Sequence, residues 1–463
     1  MTAQGGSTAL SGATALTGSA QRATRRRVLA GTGTAAVTGA LVAACGPAAG
    51  GPATGQGPGA GTTGPVSLTL WDRDEPGYPP FMDAWLPQFN AKYAGKITLQ
   101  WEPRPPQWGE KLTAAIVAGT PPDAAAVFGS WFRSLLEARQ ALALDKYIKA
   151  ARFDADDFVQ GVYKGMNFQG TQVGIPQYIN TNTVYYNPEV FKRLGVPLPT
   201  ENWTQDQLLD AAQKLTRGPL NQREVWGLSL AMDSITTRVI SLCWGAGAQY
   251  NDPKNPDVFT LNTPQNIKAL QWVHDLAWKH RVAAKNNDDR GGIGQDDALL
   301  TAGKVAMIIE GTHKIPEWKS KGLDQWNVAM LPKGPGGRGE RLSMDGYIIP
   351  TGAKAPDSSW IVLQEITSKE ANKMRAEING FVPARKSQFE VWIKSIPGKN
   401  LKYAVATDEA RVDPGSIWPK ANDVTGAINP IWRRLFITNE LSVQDALKQM
   451  QDAVVGILGP MTR

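Results

Sequence analysis

GTQVGIPQYINTNTVYYNPEVFKRLG, residues 170–195, reads as strand, polar crossing, strand and helix. Val173 and Ile175 lead into Pro176, which lacks a backbone donor and suits a strand end or a bend. Gln177–Thr183 is polar and irregular, and Asn180 and Asn182 accept turn geometry readily. Val184-Tyr185-Tyr186 is a short apolar run with β preference. Asn187-Pro188 then opens a helix, with Asn187 as N-cap and Pro188 at the first helical position. The stretch therefore carries the chain out of one α/β lobe and into a second.

The flanking sequence supplies both lobes. Before it, VSLTLW (Val66–Trp71) alternates as a strand and is followed by Asp72-Arg73-Asp74-Glu75. Pro80–Tyr93 has helical period except at Pro87, Ile97–Trp101 is a second strand, and Trp108–Ala118 is a helix. Asp123–Phe128 is a third strand, and Phe132–Arg139 a helix after the Gly129-Ser130-Trp131 turn. Alternating strands and helices with short loops predict a parallel, doubly wound sheet. Ligands of such sheets sit outside the carboxyl ends of strands, here Trp71-Asp72-Arg73 and Phe128-Gly129-Ser130-Trp131.

Beyond the crossing, Trp203–Leu215 is a helix with Thr204 as N-cap, Val225–Ala231 a strand, and Arg238–Gly247 and Asn262–Val282 helices. Lys304–Glu310 is a buried strand that meets a return crossing at Gly311. Trp326–Leu331 is a strand, Lys333–Glu340 a glycine-rich turn, and Leu342–Pro350 a third crossing. Ser358–Ser368, Glu370–Glu377 and Ser442–Leu458 are helices expected on the second lobe. The expected division is 66–176 plus 311–346 for the first lobe and 177–310 plus 347–463 for the second.

A chain of 463 residues is long enough for two domains with their own cores. Its 42% hydrophobic and 20% charged content is that of a globular protein. The net charge of +7 includes Arg22, Arg25, Arg26 and Arg27, and residues 1–44 carry no acidic residue. Removing that segment leaves +3, too little for an electrostatic claim on nucleic acid. Thr24-Arg25-Arg26-Arg27-Val28-Leu29-Ala30 resembles a twin-arginine export signal, and Val42-Ala43-Ala44-Cys45-Gly46 resembles a lipoprotein signal-peptidase box. Residues 1–44 are thus expected to be a signal peptide and Cys45 the lipidated residue. Residues 45–65 then form a tether, because Gly, Ala, Pro and Thr bury too little apolar surface to fold. The only other cysteine, Cys243, is expected to be a buried small apolar residue.

The pattern G-x-x-x-G-I-P, polar crossing, V-Y-Y-N-P-E-V-F-K-R-L-G resembles the extracellular solute-binding proteins of ABC importers, the group containing maltose-binding protein. Ala118-Gly119-Thr120-Pro121-Pro122-Asp123 resembles that group's G-x-x-P-D signature. GKVAMIIEG, VAMLPKGPGGR, the helix–TSKEA run and GFVPARKS follow in the same order, so the likeness covers about Val66–Leu458. It implies a type II, cluster D-like periplasmic-binding-protein fold with an interlobe cleft and three hinge crossings. It also implies a monomer on the outer face of the cytoplasmic membrane that delivers a sugar to permease subunits, with no catalysis and no cofactor. One departure stands out. Where relatives of maltose-binding protein often have Gly-Pro-Trp after the return crossing, this chain has Gly311-Thr312-His313-Lys314. A stacking platform is thereby replaced by a cationic or hydrogen-bonding wall, which leaves a sugar phosphate or acidic ligand open.

Other chemistry finds little support. Gly334-Pro335-Gly336-Gly337-Arg338-Gly339 spells G-x-G-x-x-G, but no helix follows to hold a pyrophosphate. His274 and His280, six apart on one helix, do not share a face, and no metal spacing or nucleophile elbow occurs. Asp72, Asp74 and Glu75 would serve a glycoside hydrolase only if two carboxyls faced each other across a sugar. Sugar recognition needs flat aromatic platforms for C–H faces and polar partners for hydroxyls. The crossings and strand ends offer Trp71, Asp72, Arg73, Trp131, Tyr178, Asn180, Glu310, Asp345 and Tyr347. Trp244 and Arg385 join them, and the resemblance adds Trp418 as a second-lobe platform. A secreted carbohydrate hydrolase and a sensor of the same fold are the alternatives.

Overall fold

The computed structural model describes residues 64–74, 77–104, 108–230, 232, 234–236, 238–252, 255–285, 296–405, 410–412 and 418–460. The signal segment, Cys45 and the tether as far as residue 63 lie outside them. Eight strands frame the site: β1 (Val66–Arg73), β2 (Ile97–Arg104), β3 (Ala124–Phe128), β4 (Ile175–Pro176), β5 (Tyr178–Tyr186), β6 (Met307–Gly311), β7 (Arg341–Ser343) and β8 (Asp345–Ile348).

The first sheet runs β2-β1-β3-β8-β4. β1 is parallel to β2 and β3, whereas β8 is antiparallel to β3 and β4. Its core joins Leu68, Leu70, Leu99 and Val127 to Phe81, Trp85 and Phe89 of helix Pro79–Lys92. Pro87 stands inside that helix rather than ending it.

The second sheet is built on β5, whose nine residues are almost entirely buried. β6 and β7 pair antiparallel with it, as do Asn327–Ala329 and Val382–Pro383. The two-residue strand period sends alternate residues to opposite faces. Val184, Tyr186, Met307 and Ile309 enter one hydrophobic cluster, while Tyr185 and Ile308 enter another with Trp318 and Trp326. Asn187 caps helix Pro188–Leu194 by accepting from the backbone N–H groups of Glu189 and Val190, and Thr204 with Gln207 forms a capping box.

The chain passes from the first sheet to the second between β4 and β5. A crossing also falls inside Leu342–Pro350, but it runs from the second sheet back to the first, and none occurs at Gly311. After Gly311 the chain stays with the second sheet: Ile315 and Trp318 pack there, Asn327–Ala329 pairs with β5, and β7 does too. The return crossing is Ser343 to Asp345. Tyr347, expected in the second lobe, lies on β8 of the first sheet. Helix Pro356–Ile366, also expected there, buries Trp360, Leu363 and Ile366 in the first core. Helix Lys369–Ile378 makes the third crossing, with Ala371 in the first core and Ala376 in the second lobe's Trp318 cluster. A strand meeting Gly311 was a good signal of an end, but composition does not say which sheet receives the next strand.

The glycine-rich turn has a packing role. A Cβ on Gly336 would run into the carbonyl oxygen of Trp244, and one on Gly339, whose φ is +67°, into that of Ser241. Backbone-to-backbone contact with helix Val239–Gly245 therefore demands the glycines.

Candidate functional site

Parallel strands β1 and β3 finish at the same sheet end where antiparallel β8 begins, so Asp345 lies opposite Phe128 in register. Arg73 lies buried there. Its Nη2 pairs with Asp345 Oδ1 at 2.5 Å, and its Nη1 donates to the hydroxyls of Tyr78 at 2.7 Å and Tyr178 at 2.8 Å. The guanidinium also stacks 3.5 Å above the Phe128 ring. Beside it, Tyr347 donates to Asp72 Oδ2 at 2.6 Å, and Arg375 reaches the Tyr347 hydroxyl at 2.9 Å. Burial pushes the Asp72 carboxyl up from its ordinary value, against the pull of Tyr347 and Arg375. Low dielectric makes such a network costly to break, since each member left alone would be a desolvated polar group. Phe128, beneath the guanidinium, and Trp71 and Trp131 are partly exposed aromatic rings. Trp131 packs edge-on against Phe128 at 5.4 Å and Trp108 at 5.1 Å, and Trp71 donates to Glu102 at 2.9 Å.

The second sheet meets this end through Tyr178 and through Asn180, which pairs in register with Ser343. Glu310, at the end of β6, is buried. Its Oε2 pairs with Arg238 at 2.5 Å and its Oε1 accepts from the Gly311 N–H at 2.7 Å. Burial alone would raise its carboxyl, but Arg238 and the charges behind it hold it below the usual value. Arg238 also faces Asp296 at 3.6 Å, and Ser229 donates to Asp296 at 2.9 Å. Next to Glu310 stands His313, partly exposed and driven by desolvation down to about 4, hence neutral at pH 7.

The family of bacterial extracellular solute-binding proteins matches residues 84–397. The chain belongs to that family. The arabinooligosaccharide-binding protein of Bacillus subtilis is 26% identical to this solute-binding protein, over 84% of the chain and 90% of that relative. The mannitol-binding protein of Pseudomonas aeruginosa is 26% identical over 57% of the chain and 61% of its own length. Among solved structures, an ABC substrate-binding protein from Listeria monocytogenes in complex with cycloalternan superposes with a TM-score of 0.72 at 20% identity. It covers 85% of this chain and 99% of that one. The GacH receptor of Streptomyces glaucescens, solved unliganded and with acarbose, gives 0.71 at 21% identity, covering 86% and 99%. The fold of the solute-binding protein is accordingly the two-lobe periplasmic-binding-protein fold.

Of the twelve side chains expected in a site, the structure gathers Trp71, Asp72, Arg73, Trp131, Tyr178, Asn180, Glu310, Asp345 and Tyr347 around the crossings. Most of the charged ones are already spoken for. Asp72, Arg73, Glu310 and Asp345 are buried and bonded to protein. Three do not join. Arg385 is buried against the rings of Phe153 and Phe158 and bonds to the Thr367 carbonyl and Asp157, holding segment 154–158 in place. Trp418 has no exposed surface; it packs on Phe259 at 4.8 Å and donates to Asn251. Trp244 belongs to the same second-lobe core. Sequence reasoning missed Tyr78, Phe128, Arg238, Asp296 and Arg375. Phe128 was visible as a strand end beside Trp131, and Tyr78 lies close in sequence to Arg73; Arg238, Asp296 and Arg375 come from distant segments and carry no linear signal. Cys243, as expected, is buried, and its thiol is pushed up to about 12.

Proposed function

We propose that this solute-binding protein captures a sugar or polyol between its two lobes and presents it to the transmembrane subunits of an ABC importer. The observation that carries the reading is that partly exposed aromatic rings, Trp71, Phe128 and Trp131, stand at the strand ends of the first sheet and partly exposed polar groups, Asn180 and His313, at the ends of the second. Ring faces suit the C–H faces of a pyranose, and the polar groups suit its hydroxyls. The named ligands of the relatives, an arabino-oligosaccharide and mannitol, support the same class. A solute touching both lobes favours the closed arrangement by its differential affinity, so closure is the chain's work and no bond is made or broken. Export with acylation of Cys45 would place the protein, as a monomer on a tether, against the membrane. That part rests on the sequence of residues 24–46.

Calorimetry and thermal shift with arabino-oligosaccharides, maltodextrins and mannitol test the proposal. One of them should bind and raise the melting temperature, as any ligand of the native state does. Absence of binding across the panel, or turnover of a glycan by the purified protein, would overturn it. Mass spectrometry of the N-terminal fragment from membranes should show an acylated Cys45; an unmodified or uncleaved N-terminus would refute anchoring.

A further inference from the structure

We propose that His313 is a specificity-determining hydrogen-bond acceptor, held as the neutral Nδ1–H tautomer so that Nε2 is bare for a ligand hydroxyl. This deepens the solute-capture reading and rests on it. The tautomer follows from Asn180. Its Oδ1 faces the backbone N–H of His313 at 3.4 Å, so an oxygen and not an amide nitrogen must point there. The same oxygen lies 3.3 Å from His313 Nδ1. Two acceptors would repel at that distance, so Nδ1 carries the proton and Nε2 the lone pair. Among the described residues Nε2 has no hydrogen-bond partner, and the ring is partly open to solvent.

The ring is mounted rigidly. Thr312 donates through its N–H to the Thr181 carbonyl at 2.9 Å and through its hydroxyl to that of Ile179 at 3.2 Å, fixing the backbone before it. Gly311 makes the space: a Cβ there would lie 2.5 Å from His313 Nδ1 and 2.7 Å from Asn180 Oδ1. Neighbouring cations are occupied, Lys314 by Glu317 at 2.8 Å and Arg238 by Glu310. Desolvation outweighs Glu310 and Asp345, which would charge the ring, and acts with Lys314 and Arg238 to keep it neutral. A lone pair at this wall attracts a hydroxyl donor and opposes a phosphate or carboxylate, so the proposal favours an uncharged ligand over an acidic one.

The test uses the purified full-length chain labelled with ¹⁵N-histidine. Long-range ¹H–¹⁵N spectra at pH 7 should show His313, identified among the three histidines by its loss in His313→Gln, as Nδ1–H with an unprotonated Nε2. Adding the best sugar of the panel should shift that Nε2. In calorimetry His313→Phe should weaken binding about 3- to 10-fold, the worth of one neutral hydrogen bond, while His313→Gln retains more of it. An Nε2–H tautomer or an imidazolium at pH 7 overturns the proposal, as does unchanged affinity in His313→Phe. If no sugar or polyol binds the wild type, the capture reading fails, and the spectrum alone decides whether the acceptor exists.

Discussion

Replacing Asp345 by Asn probes the knot that ties the lobes together. The substitution keeps the shape of the side chain and removes one charge. Arg73 and Asp345 are 5% and 1% exposed, so the guanidinium left behind has no water to turn to. Breaking a buried pair by removing one partner costs about 3–5 kcal/mol. The hydroxyls of Tyr78 and Tyr178 and the face of Phe128 remain, which puts the expected loss near the lower end. Urea unfolding should show the midpoint falling with an unchanged slope, since the surface exposed on unfolding is the same. Adding Arg73→Met to Asp345→Asn removes the stranded charge and should recover part of the loss. A single variant within about 1 kcal/mol of wild type would refute the reasoning, because the pair would then be worth no more than one at the surface.

Three further outcomes are expected. Asn187→Ala removes both cap bonds and the bond from its amide to the Leu300 carbonyl, and should cost about 1–2 kcal/mol in denaturant unfolding. Trp418→Ala should cost about 3–5 kcal/mol of stability yet leave the ligand affinity of the folded protein unchanged, by the same unfolding assay and calorimetry. His313 gives a pH signature. Its unfolded form takes a proton near 6.5 and its folded form only near about 4, with Glu310 and Asp345 favouring the charge and Lys314 and Arg238 opposing it. Stability should therefore fall as pH drops from about 6.5 toward about 4, and this slope should be missing in His313→Gln.

What could be read in advance was local. Val66–Trp71 alternates, Asn187-Pro188 caps, Thr204 starts a helix, and each behaves so because its neighbours in sequence decide the matter. Lobe membership after Gly311 was not readable, because β5 is long enough to accept β6, β7 and two more short strands along its edges. Nothing within Asn327–Ala329 says which edge it seeks. The site divides in the same way. Trp71, Arg73 and Trp131 were visible as strand-end residues, but Arg238 and Arg375 reach Glu310 and Tyr347 only through tertiary packing. Trp418 and Arg385 failed for another reason: residue type announces capacity to bind, while burial decides whether that capacity is spent inside the protein. The glycine-rich turn is the clearest case, its spacing set by contact with helix Val239–Gly245 rather than by a phosphate.

The central claim is that the two lobes close on a solute. Spin labels at Lys149→Cys, on a helix of the first lobe, and Lys448→Cys, on a helix of the second, measure it by pulsed electron resonance. Cys243 is buried and out of reach of the label, and Cys45→Ser removes the remaining thiol. A saturating sugar, its binding confirmed by calorimetry, should shorten and narrow the distance distribution. An identical distribution with sugar bound would contradict the account.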